Sequence, residues 1–169
     1  MASDLKKPLG ITILRIRDIP ELLYNLDVKE ILLLDSSNIQ PEEWNVIATA
    51  IYENMPNYDG IIVTHGTDTM AYSTSMVSFM VQNPSIPVVF TGSQLPIGNF
   101  LTDAITNLRS AFAMALSGVP GIFVAFDRKI ILGTFITIIG LTIFLVASNV
   151  GFLNMGYYIG NYFASIGYK

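Results

Sequence analysis

Cysteine is absent from all 169 residues, which excludes disulfides, thiolate nucleophiles and zinc fingers. Histidine occurs once, at position 65, and no His/carboxylate spacing of the metalloprotease kind is present. No metal centre and no cofactor are therefore expected. Charge is scarce: 13% of residues are charged, about half the usual share, and the net charge is −4. No basic face invites nucleic acid. Met1 to Lys7 lacks an apolar core segment, so no signal peptide is expected and the chain reads as cytoplasmic. What the chain has in excess is apolar surface, at 51% hydrophobic residues. A chain of this length fits one domain and buries ~70% of its unfolded surface when it folds compactly.

Short apolar runs alternate with helical patterns along most of the chain. Residues 1–19 carry a weak signal, with Ile11, Ile13 and Ile16 apolar, and Pro20 to Leu23 suits the start of a short helix. Ile31 to Leu34 reads as the first buried strand, leaving through Asp35-Ser36-Ser37. Pro41-Glu42-Glu43 opens a helix with acidic residues correctly placed against its dipole. Trp44, Ile47, Ala48 and Ile51 share its inner face, and Met55-Pro56-Asn57 ends it. Gly60 to Val63 and Pro87 to Phe90 are further buried strands, each breaking into a small polar turn. A helix from Met70 to about Gln82 lies between them, with Asp68 at its N-cap position. Thr102 or Asp103 caps a helix to Leu116, with Ile105, Leu108, Phe112 and Ala115 inward. Gly121 to Phe126 is a fourth buried strand and Asp127-Arg128-Lys129 a tight turn. This order predicts an α/β fold with a doubly wound, mostly parallel sheet and right-handed crossovers.

In such sheets ligands bind at the carboxyl ends of the strands. Three polar exits fall there. A Thr hydroxyl beside a carboxylate, as in Thr67-Asp68, can donate to, accept from or activate a small polar ligand. A cap followed by a turn explains the same residues without any ligand. The wording decides between them. His65-Gly66-Thr67-Asp68-Thr69-Met70-Ala71-Tyr72 resembles the signature of bacterial-type L-asparaginases and of their archaeal relatives, the D-type chains of glutamyl-tRNA(Gln) amidotransferase. Asp35 to Trp44 resembles that family's substrate-loop segment, and Pro87 to Pro96, around Thr91-Gly92-Ser93-Gln94, its next strand and exit loop. The three blocks occur in order, and the resemblance runs from about Pro20 to Gly133.

The resemblance implies hydrolysis of a side-chain amide through an acyl-enzyme on threonine, releasing ammonia from L-asparagine or serving a tRNA amidotransferase. It assigns Thr67 and Asp68 to the catalytic group. Asp35, Ser36 and Ser37 are assigned to the substrate's carboxylate and amine, and Gly92 and Ser93 to the site floor. A small amino-acid amide is the implied substrate, and a second copy or another amidotransferase chain the implied partner. His65 is read as hydrogen-bonding the loop backbone rather than as a general base, and Tyr72 as helix packing. Asp35, Ser36, Ser37, Thr67, Asp68 and Ser93 are expected to cluster at one sheet edge.

Two members of the family's catalytic unit have no match. No Gly-Gly-Thr turn occurs, and Thr12, after Gly10-Ile11, lacks its surroundings. In the segment where the family has Gly-x-Arg-x-x-Lys, Gly133 leads to Phe135 and Ile138. The lobe is expected to be incomplete at both ends and the chain to be a truncated, inactive remnant. The expected division is a poorly defined 1–19, an asparaginase-like 20–133 and an apolar tail at 134–169. Residues 130–168 hold no charge. The run from Ile130 to Ser148 is long and apolar enough for a membrane span, the alternative being a membrane-associated domain. A changed reading frame after Gly133 would produce the same composition.

Overall fold

The computed structural model describes residues 11–17 and 25–165. The proposed helix start at Pro20 to Leu23 lies outside them. The elements in chain order are β1 (Ile11–Arg17), β2 (Asn25–Leu32), α1 (Pro41–Asn54), β3 (Gly60–Thr64), α2 (Met70–Met80), β4 (Pro87–Thr91), α3 (Ala104–Ala115), β5 (Gly121–Phe126), β6 (Lys129–Leu132) and α4 (Gly133–Ser165). The chain divides into two compact units, 1–135 and 136–169.

The first unit is built on one six-stranded sheet in the order β2-β1-β3-β4-β5-β6. β3, β4 and β5 pair in parallel. β1 is antiparallel to both β2 and β3, so β2 runs in the same sense as the parallel trio. β6 folds back on β5. Four strands therefore share one direction, and the sheet is mixed but mostly parallel, with helices packed against it. This is the α/β class expected.

Ile61, Ile62 and Val63 of β3 and Val88, Val89 and Phe90 of β4 are fully buried on both parities of the strand. Side chains alternate between faces, so both faces of the central strands are covered. One face packs Ile62, Val89, Phe123 and Ala125 against Ala111 and Ala115 of α3. α1 and α2 pack on each other, and α2 also packs against β4 and β5. Gly60 is required at the start of β3, because a methyl there would collide with the Ala115 carbonyl oxygen. Helix α1 begins at Pro41, and the Gln40 N–H donates to the Glu43 carboxylate at 2.7 Å. Its buried residues are Ile47, Ala48 and Ile51. Trp44 is half-buried, its indole N–H donating to the Ser73 hydroxyl at 3.0 Å.

Several local expectations are corrected. The strand before Asp35 is Asn25–Leu32 rather than 31–34, and it is an edge strand with Leu33 exposed beyond its end. An apolar run cannot distinguish a central strand from one that has a neighbour on one side only. Helix α3 buries Asn107, Ala111 and Ala115, whereas Ile105 is exposed. Tyr72 projects into solvent, 67% exposed, and does not pack. The Asp127-Arg128 turn is present as a two-residue hairpin link, both residues at positive φ (47° and 60°), the type that matches strand twist. The tail set apart at 134–169, for which a membrane span at 130–148 was the alternative, forms one 33-residue helix over Gly133–Ser165.

Candidate active site

Because β2, β3 and β4 run the same way, their exits share one edge of the sheet. After β2, Asp35 starts a single 3-10 turn by accepting from the Ser37 N–H at 2.9 Å and the Ser37 hydroxyl at 2.8 Å. Those two bonds hold the exposed Asp35 carboxyl below its ordinary value. The turn buries Ser36. Its carbonyl accepts from the Thr69 hydroxyl at 2.7 Å, tying the β2 exit to the start of α2. Gly66 lies directly against the Ser36 side chain, where any Cβ would collide with the hydroxyl.

β3 and β4 are joined at the same edge. Thr64 and Thr91 pair in register, and the His65 N–H donates to the Thr91 carbonyl at 2.8 Å. The Thr91 hydroxyl in turn donates to the Ala125 carbonyl at 2.9 Å. Gly92 has no room for a side chain, since the His65 carbonyl occupies that space and the Thr67 methyl lies 3.5 Å from it. Two glycines thus let three strand exits touch. Ser36, Thr67 and Gly92 are brought together through Gly66 and His65.

The remaining expected residues are placed differently. Ser37 is exposed and engaged with Asp35. Asp68 is exposed, and among the described residues its carboxylate holds no hydrogen bond. It does not cap α2: Thr69 occupies the N-cap position and uses its hydroxyl on Ser36 instead. Ser93 is half-buried and lines a cavity of about 420 Å³ with Thr12, Thr64, His65, Thr91 and Gly92, walled by Pro96, Ile97, Ala104 and Leu108. Thr67 and Asp68 are not part of that lining.

His65 is buried, its ring tilted against Phe90 with centroids 6.2 Å apart. A carbonyl can only accept, so the 2.6 Å contact between Nδ1 and the Gly66 oxygen puts the proton on Nδ1. Nε2 is then a buried acceptor without a partner among the described residues. Burial lowers its pKa and the Gly66 carbonyl partly offsets the shift, so the ring is neutral at physiological pH. Its geometry is that of a residue holding the loop backbone.

Asn107 is a site-shaping residue that the motifs do not include. From the buried face of α3 its amide donates to the Gly92 carbonyl and the Asp103 carboxylate, both at 2.9 Å. Its oxygen accepts from the Asp127 N–H at 2.9 Å. Asp103 also accepts from the N–H groups of Gln94 and Leu95. Burial raises the Asp103 carboxyl, but these backbone bonds and the Asn107 amide outweigh it and leave it below its ordinary value. Asn107 and Asp103 together fix the path of 92–95. The one signal in the sequence is the small-residue stripe Asn107, Ala111, Ala115 at helical spacing, which apolar templates score low.

The model of the asparaginase N-terminal family matches residues 9–143. The chain belongs to the asparaginase family. An L-asparaginase of Thermococcus kodakarensis is 55% identical over 109 residues, covering 64% of this chain and 33% of that protein. The D-type chain of glutamyl-tRNA(Gln) amidotransferase from Methanosphaera stadtmanae is 42% identical over 107 residues, covering 62% of this chain and 24% of that protein. The solved structure of the thermostable Thermococcus kodakarensis L-asparaginase superposes with a TM-score of 0.62 at 57% identity, over 63% of this chain and 32% of that one. The chain thus spans a third or less of the length of these asparaginase-family relatives.

Proposed function

We propose that residues 20–133 are an asparaginase-type amidohydrolase domain that retains groups for holding a small amino-acid amide but, in these 169 residues, not the reaction. The observation that carries this reading is the meeting of Ser36, Gly66, Thr67 and Gly92 at one sheet edge. Asp35, Ser37 and Asp68 border the cluster as exposed acceptors and donors that a zwitterionic ligand could reach, and Ser93 lies on its β4 side. Amide hydrolysis needs an attacking hydroxyl and a group to take its proton. The chain contains no Gly-Gly-Thr, and Phe135 and Ile138 stand where the resemblance asks for Arg and Lys. Members of a catalytic unit act together, so losing one commonly costs ~10⁴-fold in rate.

The likeness to an amidotransferase chain supports a second reading, in which such a domain works with a partner protein rather than on free asparagine. A cytoplasmic setting suits either, and pairing with a second copy would be one route to completing the site. The test is ammonia release from L-asparagine and L-glutamine by the purified chain, beside a Thr67→Ala/Asp68→Ala variant. The expected result is no release above the variant's background. Turnover that the variant abolishes would overturn the remnant reading and assign the attack to Thr67 or to Thr12.

A further inference from the structure

Among the described residues, no other helix has the composition of α4. The most apolar window inside Gly133–Met155 has a mean hydropathy of 2.2 and buries none of its residues. Among the described residues no other helix is long and apolar enough to cross a membrane. Four consecutive residues, Ile143, Phe144, Leu145 and Val146, are all more than half exposed. At ~100° per residue, such a run covers most of the helix circumference. Over this run the helix is therefore apolar all round and not along one stripe, with Ser148, Asn149 and Asn154 as isolated polar positions beyond it.

That distinction selects the partner. A protein groove or a second copy of the helix covers one stripe of a helix and leaves the opposite side in water. An apolar solvent covers all sides at once. We propose that α4 spans a lipid bilayer as a transmembrane anchor, with Ile136 to Met155 in the hydrocarbon. That segment rises about 30 Å, the thickness of the hydrocarbon core. No charged residue occurs from 130 to 168. Thr142 satisfies its hydroxyl within the helix, donating to the Ile138 carbonyl at 2.7 Å, as a hydroxyl in hydrocarbon must. Arg128 and Lys129 precede the span and Tyr157 follows it, residue types suited to the two interfaces. The span is shifted from 130–148, because Lys129–Leu132 is committed to the sheet as β6.

The experiment is cell-free synthesis of the full chain with phosphatidylcholine/phosphatidylglycerol vesicles, followed by flotation, alkaline carbonate extraction and protease digestion. The expected result is a floating, carbonate-resistant protein that leaves a protected fragment containing 136–155. A Leu141→Arg/Val146→Arg variant should lose more than about tenfold of the resistant fraction, since each central Arg strongly opposes insertion. The protected fragment from the unsubstituted chain is a readout independent of how that variant folds. A chain that stays off the vesicles as a monomer or an oligomer overturns the proposal. So does one that floats but is released by carbonate and fully digested. None of these readouts depends on amide hydrolysis, so the anchor and the remnant reading can fail separately.

Discussion

Helices α1 and α4 solve different problems, and their sequences show it. In α1 the apolar residues Ile47, Ala48 and Ile51 are buried on one side, while Glu42, Asn45 and Glu53 are exposed. That division encodes a direction: the helix is turned towards α2 and β2. α4 carries no such division: from Ile143 to Val146 it is apolar on every side. A patterned helix specifies its neighbour. An unpatterned apolar helix specifies only the medium around it.

The largest effect should come from truncating the same residue type in both units. Phe90 is fully buried in β4, so Phe90→Ala should cost about 3–5 kcal/mol of unfolding free energy. Phe144 is exposed on α4, and Phe144→Ala should stay within about 0.5 kcal/mol. Urea unfolding in mild detergent, followed through the single Trp44, measures both. A cost at Phe144 comparable to that at Phe90 would mean that α4 has a protein core, and the contrast would collapse.

A smaller loss is expected where a polar residue, not an apolar one, joins the elements of the sheet unit. Asn107→Ala leaves the Gly92 carbonyl, the Asp103 carboxylate and the Asp127 N–H without that partner. A loss of about 1–3 kcal/mol follows. Faster amide exchange at Gln94 and Leu95 would separate loosening of the loop from general destabilisation.

Smaller again is Ser73→Ala, which removes the acceptor of the Trp44 indole. Because Trp44 is half-buried and water can replace the hydroxyl, about 0.5–1.5 kcal/mol is expected. A shift in Trp44 emission should accompany it.

The mildest test is pH. His65 has a folded pKa below its ordinary 6.5, so the unfolded chain binds the proton more readily. The stability this contributes is present above pH 6.5 and is lost as pH falls below that value. Asp35, also lowered, acts in the same direction but below its ordinary 3.8. A His65→Gln variant should flatten the upper window and leave the lower one. An unchanged profile would mean that the imidazole is not buried neutral.

Much of the sheet unit was legible because its signals are local. The runs at Gly60–Val63, Pro87–Phe90 and Gly121–Phe126 are apolar and end in turn residues, and each gap between them is long enough for one helix. The three ordered motifs were legible as a family for the same reason. Three details depended on neighbours distant in the chain. The edge position of β2 depends on β1 pairing with it and with β3. The rotation of α3 onto Asn107, Ala111 and Ala115 depends on the sheet pressing close enough to favour small residues. The geometry of Asp68 depends on Thr69 choosing the Ser36 carbonyl over its own helix.

The chemistry of the chain follows the same line. Residue identity alone determined which groups exist: a threonine and an aspartate after β3, serines after β2 and β4, no cysteine, and no charge beyond Lys129 until Lys169. Only the tertiary structure decided which of them meet. Ser36, Thr67 and Gly92 come together because Gly66 and Gly92 lack side chains at the points where three strand exits touch. Asp35 and Ser37 bond to each other, and Asp68 remains in solvent, because none of the described residues packs over them. Spacing along a chain sets what a residue can do locally; the distances between strand exits are set by packing, which no stretch of sequence contains by itself.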